Sequence, residues 1–69
     1  MIVRDVIAKL DLSLKVEINI SYRFDNVRSE RIERGLSYQL FMSTDDCLNY
    51  QVTNIRVVNN VLQIYCTDK

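Results

Sequence analysis

The sequence predicts an α+β domain in which a short N-terminal helix packs on a four-stranded antiparallel sheet made of two hairpins. Three patterns carry this prediction: a helical stripe at the start of the chain, a long alternating run, and two turn signals. The chain has 69 residues and is expected to form a single domain over residues 1–69, near the lower size limit for a self-sufficient core. Its 48% hydrophobic content is that of a folded protein.

The first predicted element is a helix over residues 2–10, IVRDVIAKL. Val3, Val6, Ile7 and Leu10 recur there at helical spacing and form one apolar stripe. A helix of about two turns does not persist alone in water. We therefore expect this helix to dock on the apolar face of the strand that follows.

The second predicted element is a long strand, because residues 12–24, LSLKVEINISYRF, alternate apolar and polar without a fault. This alternation is the period of a strand with one apolar and one polar face. At roughly 3.3 Å per residue the run would span about 43 Å. A compact domain of this size has a diameter of roughly 28 Å. The strand must therefore coil around the core, or its far half must project and be covered by something else.

The Asp25–Asn26 pair predicts a turn after this strand, and it leaves two registers open for the resulting hairpin. A two-residue turn would pair Phe24 with Val27 and would place polar residues on the apolar face. A three-residue turn shifts the register by one residue, which exchanges the two faces of the second strand. The polar residues that a two-residue turn would place on the apolar face are Ser29, Arg31 and Glu33.

The apolar pattern favours the three-residue turn. In that register Ile32 lies opposite Ile20, and Leu36 lies opposite Val16. The pairs that would extend the hairpin toward its base are Leu14 with Tyr38 and Leu12 with Leu40. Two charged residues remain misplaced on the apolar face: Glu30 and Arg34. A short helix over residues 27–34 is the alternative, with a poorer apolar spacing.

The segment STDDCLNY predicts one helical turn or a loop, with Ser43 or Thr44 as the N-cap. Asp45 and Asp46 then lie in the first turn, where acidic residues suit the helix dipole. Adjacent aspartates beside a cap are more typical of a helix start than of a catalytic or metal-binding carboxylate pair.

A second hairpin is predicted around Asn59–Asn60, which separates QVTNIRVV from VLQIYCT. Asparagine tolerates the positive φ that a tight hairpin turn needs. A two-residue loop places Val57 opposite Leu62 and Ile55 opposite Ile64.

No residue constellation in the chain specifies a catalytic chemistry. The chain has no histidine, the commonest general base, and its single glycine excludes a glycine-rich phosphate loop. Cys47 and Cys66 are too few for a disulfide scaffold and lack the spacing of a metal site, so we expect buried or half-buried thiols. We therefore predict a protein that is not an enzyme and that uses no cofactor and no metal.

Charge and hydropathy indicate the compartment. Nine basic and nine acidic residues cancel, so no net charge draws the chain to nucleic acid or to a membrane surface. No apolar run approaches the roughly 18 residues of a membrane span. Arg4 and Asp5 interrupt the first apolar segment, which excludes a signal peptide. The expected location is the cytoplasm.

Arginines and aromatic residues cluster in the first hairpin, a composition typical of protein interface hot spots and of nucleic-acid grooves alike. Over residues 23–34 four arginines stand against three acidic residues, a net charge of +1 that argues against nucleic acid. A solvated hairpin with cross-strand ion pairs is the plainer interpretation. The residues that we predict to contact a partner protein are Tyr22, Arg23, Phe24, Arg28, Arg31 and Arg34.

The length of the alternating run predicts a homodimer, because an apolar arm needs a cover and two-fold dimers are the commonest assembly. A strand that coils within a monomer, or a foreign partner, would satisfy the same pattern. The predicted dimer interface consists of Ile18, Ile20, Tyr22, Phe24 and Ile32.

Two stretches, MIVRDVIAKLDLSLKVEI and LNYQVTNIRVVNNVLQIYC, resemble small phage and prophage accessory proteins of Gram-positive bacteria. Some small phage proteins of this kind are anti-CRISPRs or other inhibitors of host defence that act by stoichiometric binding. The resemblance implies a protein that inhibits or modulates a host protein by direct binding in the host cytoplasm. Many anti-CRISPRs are strongly acidic nucleic-acid mimics, and this neutral chain departs from them.

Two other functions fit the same sequence. A nucleic-acid-binding regulator would use the same arginines, and its affinity would fall steeply with salt. A structural or assembly subunit would add its edge strands to those of its neighbours.

Overall fold

The computed structural model describes residues 1–24 and 27–68. The side chains of Arg23 and Phe24, and the predicted turn at Asp25–Asn26, lie outside this description. In chain order the elements are α1 (Val3–Ile7), β1 (Lys15–Phe24), β2 (Val27–Leu36), α2 (Ser37–Phe41), a 3₁₀ turn (Asp46–Asn49), β3 (Gln51–Val58) and β4 (Val61–Thr67). None of the helices in these residues is long and apolar enough to cross a lipid bilayer.

The four strands form one sheet in the order β2-β1-β4-β3. The predicted α+β fold with a four-stranded sheet and short helices is confirmed, but the purely antiparallel sheet is wrong. Each hairpin is antiparallel, whereas β1 and β4 meet as a parallel pair, with Val16 opposite Leu62 and Ile20 opposite Cys66. The strand of each hairpin with the more regular apolar face takes the centre of the sheet, where both of its edges are paired.

The core lies between one face of the sheet and the helices. Val3, Val6 and Ile7 of α1 are buried against Ile18 and other residues of the central strands. The predicted docking of the first helix is therefore confirmed, although the α-helix is shorter than predicted because it ends at Ile7. Leu40 of α2 and Leu48 of the 3₁₀ turn complete the same cluster. The opposite face of the sheet has no helix packed on it in the residues that the structure describes.

The register of the first hairpin differs from the prediction. Arg31 lies opposite Ile20, and Glu33 lies opposite Ile18, so the predicted register, with Ile32 opposite Ile20 and Leu36 opposite Val16, is wrong. Ile32 lies opposite Asn19 on the face away from the helices. The alternative of a helix over residues 27–34 is also wrong, because these residues belong to β2.

The base of this hairpin differs as well, because β2 ends at Leu36 and α2 begins there. The predicted pairs of Leu14 with Tyr38 and of Leu12 with Leu40 do not form. Instead the backbone N–H groups of Ser37 and Tyr38 donate to the carbonyls of Leu14 and Leu12. The alternating run of residues 12–24 therefore begins three residues before the strand, which starts at Lys15.

The second hairpin matches its prediction. Val57 lies opposite Leu62, and Ile55 lies opposite Ile64. Asn59 and Asn60 have φ values of 51° and 64°, which is the left-handed conformation that a two-residue hairpin turn requires. The predicted turn before this hairpin is also present, but its cap is Asp45 rather than Ser43 or Thr44.

Candidate binding surfaces of the first hairpin

Alternation along β2 divides its side chains between the two faces of the sheet. The helix face carries Ser29, Arg31, Glu33 and Gly35, and the open face carries Arg28, Glu30, Ile32, Arg34 and Leu36. The arginines that the sequence grouped together are therefore separated. Arg31 points toward the core side, whereas Arg28 and Arg34 lie on the open face.

Arg31 is held by two carboxylates on the helix face. Its Nη2 lies 2.8 Å from Oδ1 of Asp45, and its Nη1 lies 3.0 Å from Oε1 of Glu33. The hydrogen bond from Arg31 lowers the pKa of Asp45 to about 2, and the same bond raises the pKa of Arg31. Both groups therefore stay charged at neutral pH. These contacts explain how a charged residue occupies the helix face of β2.

Asp45 has a second role because it caps the 3₁₀ turn. The backbone N–H of Cys47 donates to Oδ1 of Asp45 over 2.9 Å. This bond satisfies one of the free N–H groups at the start of the turn. One carboxylate thus joins β2 to the segment that precedes β3.

Two tyrosines lie beside this cluster. The rings of Tyr22 and Tyr50 meet edge to face, with centroids 5.9 Å apart and an interplanar angle of 90°. The guanidinium of Arg31 lies 6.0 Å from the ring centroid of Tyr22. A shallow cleft of about 420 Å³ opens here, lined by Tyr22, Arg31, Thr44, Asp45, Asp46 and Tyr50. Burial, first of all, raises the pKa of the Tyr50 hydroxyl.

The two cysteine side chains lie beneath this region and are buried. Cys47 and Cys66 are buried and free, as the sequence predicted. Burial raises the pKa of Cys47 to about 12 and that of Cys66 to about 11. Because the thiolate is the nucleophile, these raised pKa values disfavour the reactive form of both side chains at neutral pH.

The open face of the hairpin is different in character. Nε of Arg34 lies 2.9 Å from Oε2 of Glu17, and the hydrogen bond from Arg34 lowers the pKa of that carboxyl. The amide of Gln63 donates to Glu17 over 3.4 Å, and the hydroxyl of Tyr65 donates to Gln63 over 3.0 Å. A polar network therefore crosses the sheet from β2 to β4.

An apolar side chain lies next to this network. Ile32 is 49% exposed on the open face. A notch of about 80 Å³ lies beside it, with Asn19, Ser21 and Tyr65 in its lining. Arg28, nearer the tip of the hairpin, is exposed. We call Arg28, Glu30, Ile32 and Arg34 the open-face strip.

The predicted site residues are thus brought together only in part. Tyr22 and Arg31 are neighbours in the cleft, while Arg28 and Arg34 belong to the open-face strip. Of the predicted dimer residues, Ile18 and Ile20 are buried inside the chain's own core. The predictions for the side chains of Arg23 and Phe24 concern side chains that the structure does not describe.

Sequence reasoning missed the groups that complete both surfaces. Asp45 and Tyr50 form the far side of the cleft, and Glu17 and Tyr65 form the network behind the open-face strip. One signal was present for Asp45, but only in the register that the apolar pattern disfavoured: there Arg31 lies on the helix face and requires a partner of opposite charge. The pattern did not indicate which of several acidic residues supplies it.

No group of three or more His, Cys, Asp or Glu side chains is placed to hold a metal ion in the part of the chain that the structure describes. Comparisons with protein-family models, with characterised proteins and with solved structures found no match to this chain.

Proposed function

We propose that this chain is a small binding protein that acts by stoichiometric contact with another protein and catalyses no reaction itself. Its contact surface is the open-face strip of β2. The observation that carries the proposal is the exposure of Ile32 between Glu30 and Arg34, on a sheet face without a packed helix in the described residues. An apolar centre with arginine and tyrosine around it has the composition of an interface hot spot.

The shape of the surface supports this proposal. The notch beside Ile32 gives a partner side chain a place to enter, and Tyr65 at its wall offers its ring and its hydroxyl oxygen as an acceptor, since the hydroxyl proton is donated to Gln63. The network from Arg34 through Glu17 to Gln63 holds the surrounding polar groups in position. Side chains that are ordered before binding lose less entropy when a partner docks.

The resemblance to small phage and prophage proteins makes a host protein the expected partner, and inhibition or modulation of that protein the expected effect. An anti-CRISPR is the most specific version of this proposal. A neutral surface with both signs of charge suits a protein target better than a phosphate backbone.

Nucleic-acid binding is the weaker candidate. Arg31 and Arg34 are each bonded to a carboxylate, so their charges are largely neutralised within the chain. Arg28 is exposed, and no ion pair to it is found among the side chains that the structure describes. A single arginine without an ion pair among these described side chains of the hairpin is a small basic surface for a phosphate backbone.

The proposal is tested by photo-crosslinking in the cells in which the gene is naturally found. A photoreactive amino acid replaces Ile32 in one variant and Leu12 in the other. Leu12 is 69% exposed and lies outside the sheet, so it is the matched aliphatic control. We expect position 32 to capture a discrete protein that position 12 does not capture.

A charge reversal then shows whether the strip itself makes the contact. Arg28→Glu added to the position-32 variant should abolish the capture. Lys9→Glu, a reversal of another exposed cation, should leave it unchanged. The proposal would be contradicted if the variants at positions 12 and 32 captured the same proteins. It would also be contradicted if the position-32 variant still captured its protein after Arg28→Glu.

A further inference from the structure

The outer edge of β3 is the second unusual surface of the molecule. β3 lies at the end of the sheet, so among the described residues no named strand pairs with its outer edge. Ile55 and Val57 are 42% and 71% exposed, and Arg56 is the only charged residue in this strand. An exposed apolar edge strand is a template for pairing with another chain.

Part of this edge is already paired by the start of the chain. The N–H of Val52 donates to the carbonyl of Met1 over 2.9 Å, and the N–H of Val3 donates to the carbonyl of Tyr50 over 3.1 Å. Ile2 and Gln51 form an antiparallel bridge between these two bonds. The edge therefore accepts an antiparallel strand within the chain itself. A register shift between Val52 and Asn54 ends this stretch, and no strand in the described part of the chain pairs with the outer edge of residues 54–58.

The register of the second hairpin shows which backbone groups face outward. In an antiparallel ladder, hydrogen-bonded pairs alternate with non-hydrogen-bonded pairs. The two-residue turn makes Val58 and Val61 a hydrogen-bonded pair, so Ile55 and Val57 direct their N–H and C=O groups away from β4. The bond from the N–H of Ile55 to Oδ1 of Asn54, at 2.9 Å, agrees with this direction.

We propose that the open edge of β3 pairs antiparallel with the β3 strand of a second copy, across a two-fold axis at Arg56. The open residues 54–58 are centred on Arg56, so this axis gives the longest overlap of the edge with itself. Ile55 then lies opposite the partner's Val57, and Val57 lies opposite the partner's Ile55. The two four-stranded sheets become one sheet of eight strands.

Neighbouring registers fit less well. A shift toward the start of β3 brings the partner strand against Met1, which already occupies the edge beside Val52. A shift toward the turn places Ile55 opposite the partner's Asn59, whose positive φ ends the strand. Either shift also separates Ile55 from the partner's Val57.

The surface suits a second copy for two reasons. The exposed apolar row of Ile55 and Val57 meets an identical row, so apolar side chains cover each other. A chain with nine basic and nine acidic residues also has no net charge that would repel its copy. Two-fold pairing of identical surfaces is the commonest route to a dimer. This inference does not depend on the open-face strip, which lies on the opposite edge strand.

The pairing has two costs, which predict a concentration-dependent dimer. Arg56 lies opposite the partner's Arg56, and like charges directly opposite each other are destabilising. The N–H of Ile55 must also leave Oδ1 of Asn54 before it can bond to the partner.

The oligomeric state tests the interface. Masses are measured by sedimentation equilibrium from about 10 μM to about 1 mM, a range that detects weak dimers. We expect the wild-type mass to rise from 8.1 kDa toward twice that value, and Val57→Lys to stay monomeric. Val27→Lys, on the edge strand β2, is the matched control because Val27 is 66% exposed, and it should associate like the wild type. A wild type that is monomeric throughout, or a Val57→Lys variant that associates equally, would overturn the proposal.

A charge-swap mixture tests the position of the axis. Arg56→Glu alone should dimerise as weakly as the wild type, because two glutamates then face each other. An equal mixture of Arg56→Glu and wild type should contain more mixed dimer than random pairing gives, by about two- to five-fold in the equilibrium constant. Native mass spectrometry separates the three species. A random share of mixed dimer would show that Arg56 does not lie on the axis and would overturn that assignment.

Discussion

The two edge strands of the sheet, β2 and β3, differ in how strongly their residues oppose pairing with another chain. β2 carries five charged residues in its 10 positions, whereas β3 carries one in its 8. Charges on an edge strand discourage pairing with another chain, because that pairing would bury or oppose them. β2 is therefore protected along its whole length. On the open half of β3, residues 54–58, only two features discourage pairing with another chain. These are the charge of Arg56 and the hydrogen bond from the N–H of Ile55 to the side chain of Asn54.

The two edges also differ on the face toward the core. β2 has Arg31 and Gly35 at positions where a half-buried strand usually carries apolar side chains, and β3 leaves Ile55 and Val57 exposed on that face. The number of polar residues in a strand thus does not indicate how much of its core-side face is buried by the helices. Coverage depends on where the helices and the 3₁₀ turn lie, and these pack closer to β2 than to the far half of β3.

The largest expected effect is a difference in the free energy of unfolding between substitution of Arg31 on β2 and substitution of Arg56 on β3. Arg31→Ala leaves Asp45 without its ionic partner, and hydrogen bonds to charged groups contribute roughly 1.5–3 kcal/mol. Because the Arg31 side chain is 39% exposed, we take the lower end, a loss of about 1.5 kcal/mol in the free energy of unfolding. Arg56→Ala on β3 should change it by less than about 0.5 kcal/mol. Urea denaturation at a concentration where the chain is monomeric compares the two. Equal losses would mean that the ion pairs of β2 do not anchor that edge.

A smaller effect appears in the acid stability of the β2 anchor. The pKa of Asp45 is about 2 in the folded chain, against an ordinary value of 3.8. A carboxyl with a lowered pKa in the folded state contributes stability above the unfolded pKa and loses it as pH falls through the folded one. The free energy of unfolding should therefore decrease between about pH 4 and about pH 2.

Substitution assigns that acid transition to a residue. In Asp45→Asn the free energy of unfolding should be lower at neutral pH, and its decrease toward pH 2 should be shallower. Asp46→Asn, a change at the exposed neighbouring aspartate, should retain the wild-type pH dependence. Both are measured by urea denaturation across the pH series. An Asp46→Asn profile as shallow as that of Asp45→Asn would refute the assignment.

The smallest expected effect concerns the open face of β2. The pKa of Glu17 is lowered, first of all by the hydrogen bond from Arg34. Arg34→Gln should therefore raise the pKa of Glu17 toward its ordinary value, as followed by NMR titration of the carboxyl. The urea midpoint should stay within experimental error, because exposed ion pairs contribute little to stability. An unchanged pKa would show that Arg34 does not hold Glu17.

Local signals in the sequence predicted the second hairpin correctly. Asn59 and Asn60 provide the turn, and the turn alone sets Val57 opposite Leu62. The apolar stripe of the first helix was equally readable, because it depends on spacing within one element. The same holds in part for the candidate site, since Tyr22 and Arg31 were expected to act together.

Features that depend on distant residues were not readable. The register of β2 is stabilised by Asp45, which belongs to another element, so the apolar pattern of β2 favoured the wrong alternative. Leu12 and Leu14 continue the alternation, but the chain turns there: the N–H of Leu14 and the N–H of Ser13 bond to Asp11. The parallel pairing of β1 with β4 has no local signal, because it joins residues from the two ends of the chain.

That parallel ladder has a consequence for folding. Each hairpin can close early and locally, but a two-stranded ribbon alone is marginally stable in water. The ladder between β1 and β4 must bring together segments far apart in sequence, and such long-range closure slows folding. Neither half of the chain has a complete core before this step. We therefore expect both hairpins to open together in a single cooperative transition, with similar protection against hydrogen exchange in β1 and in β4.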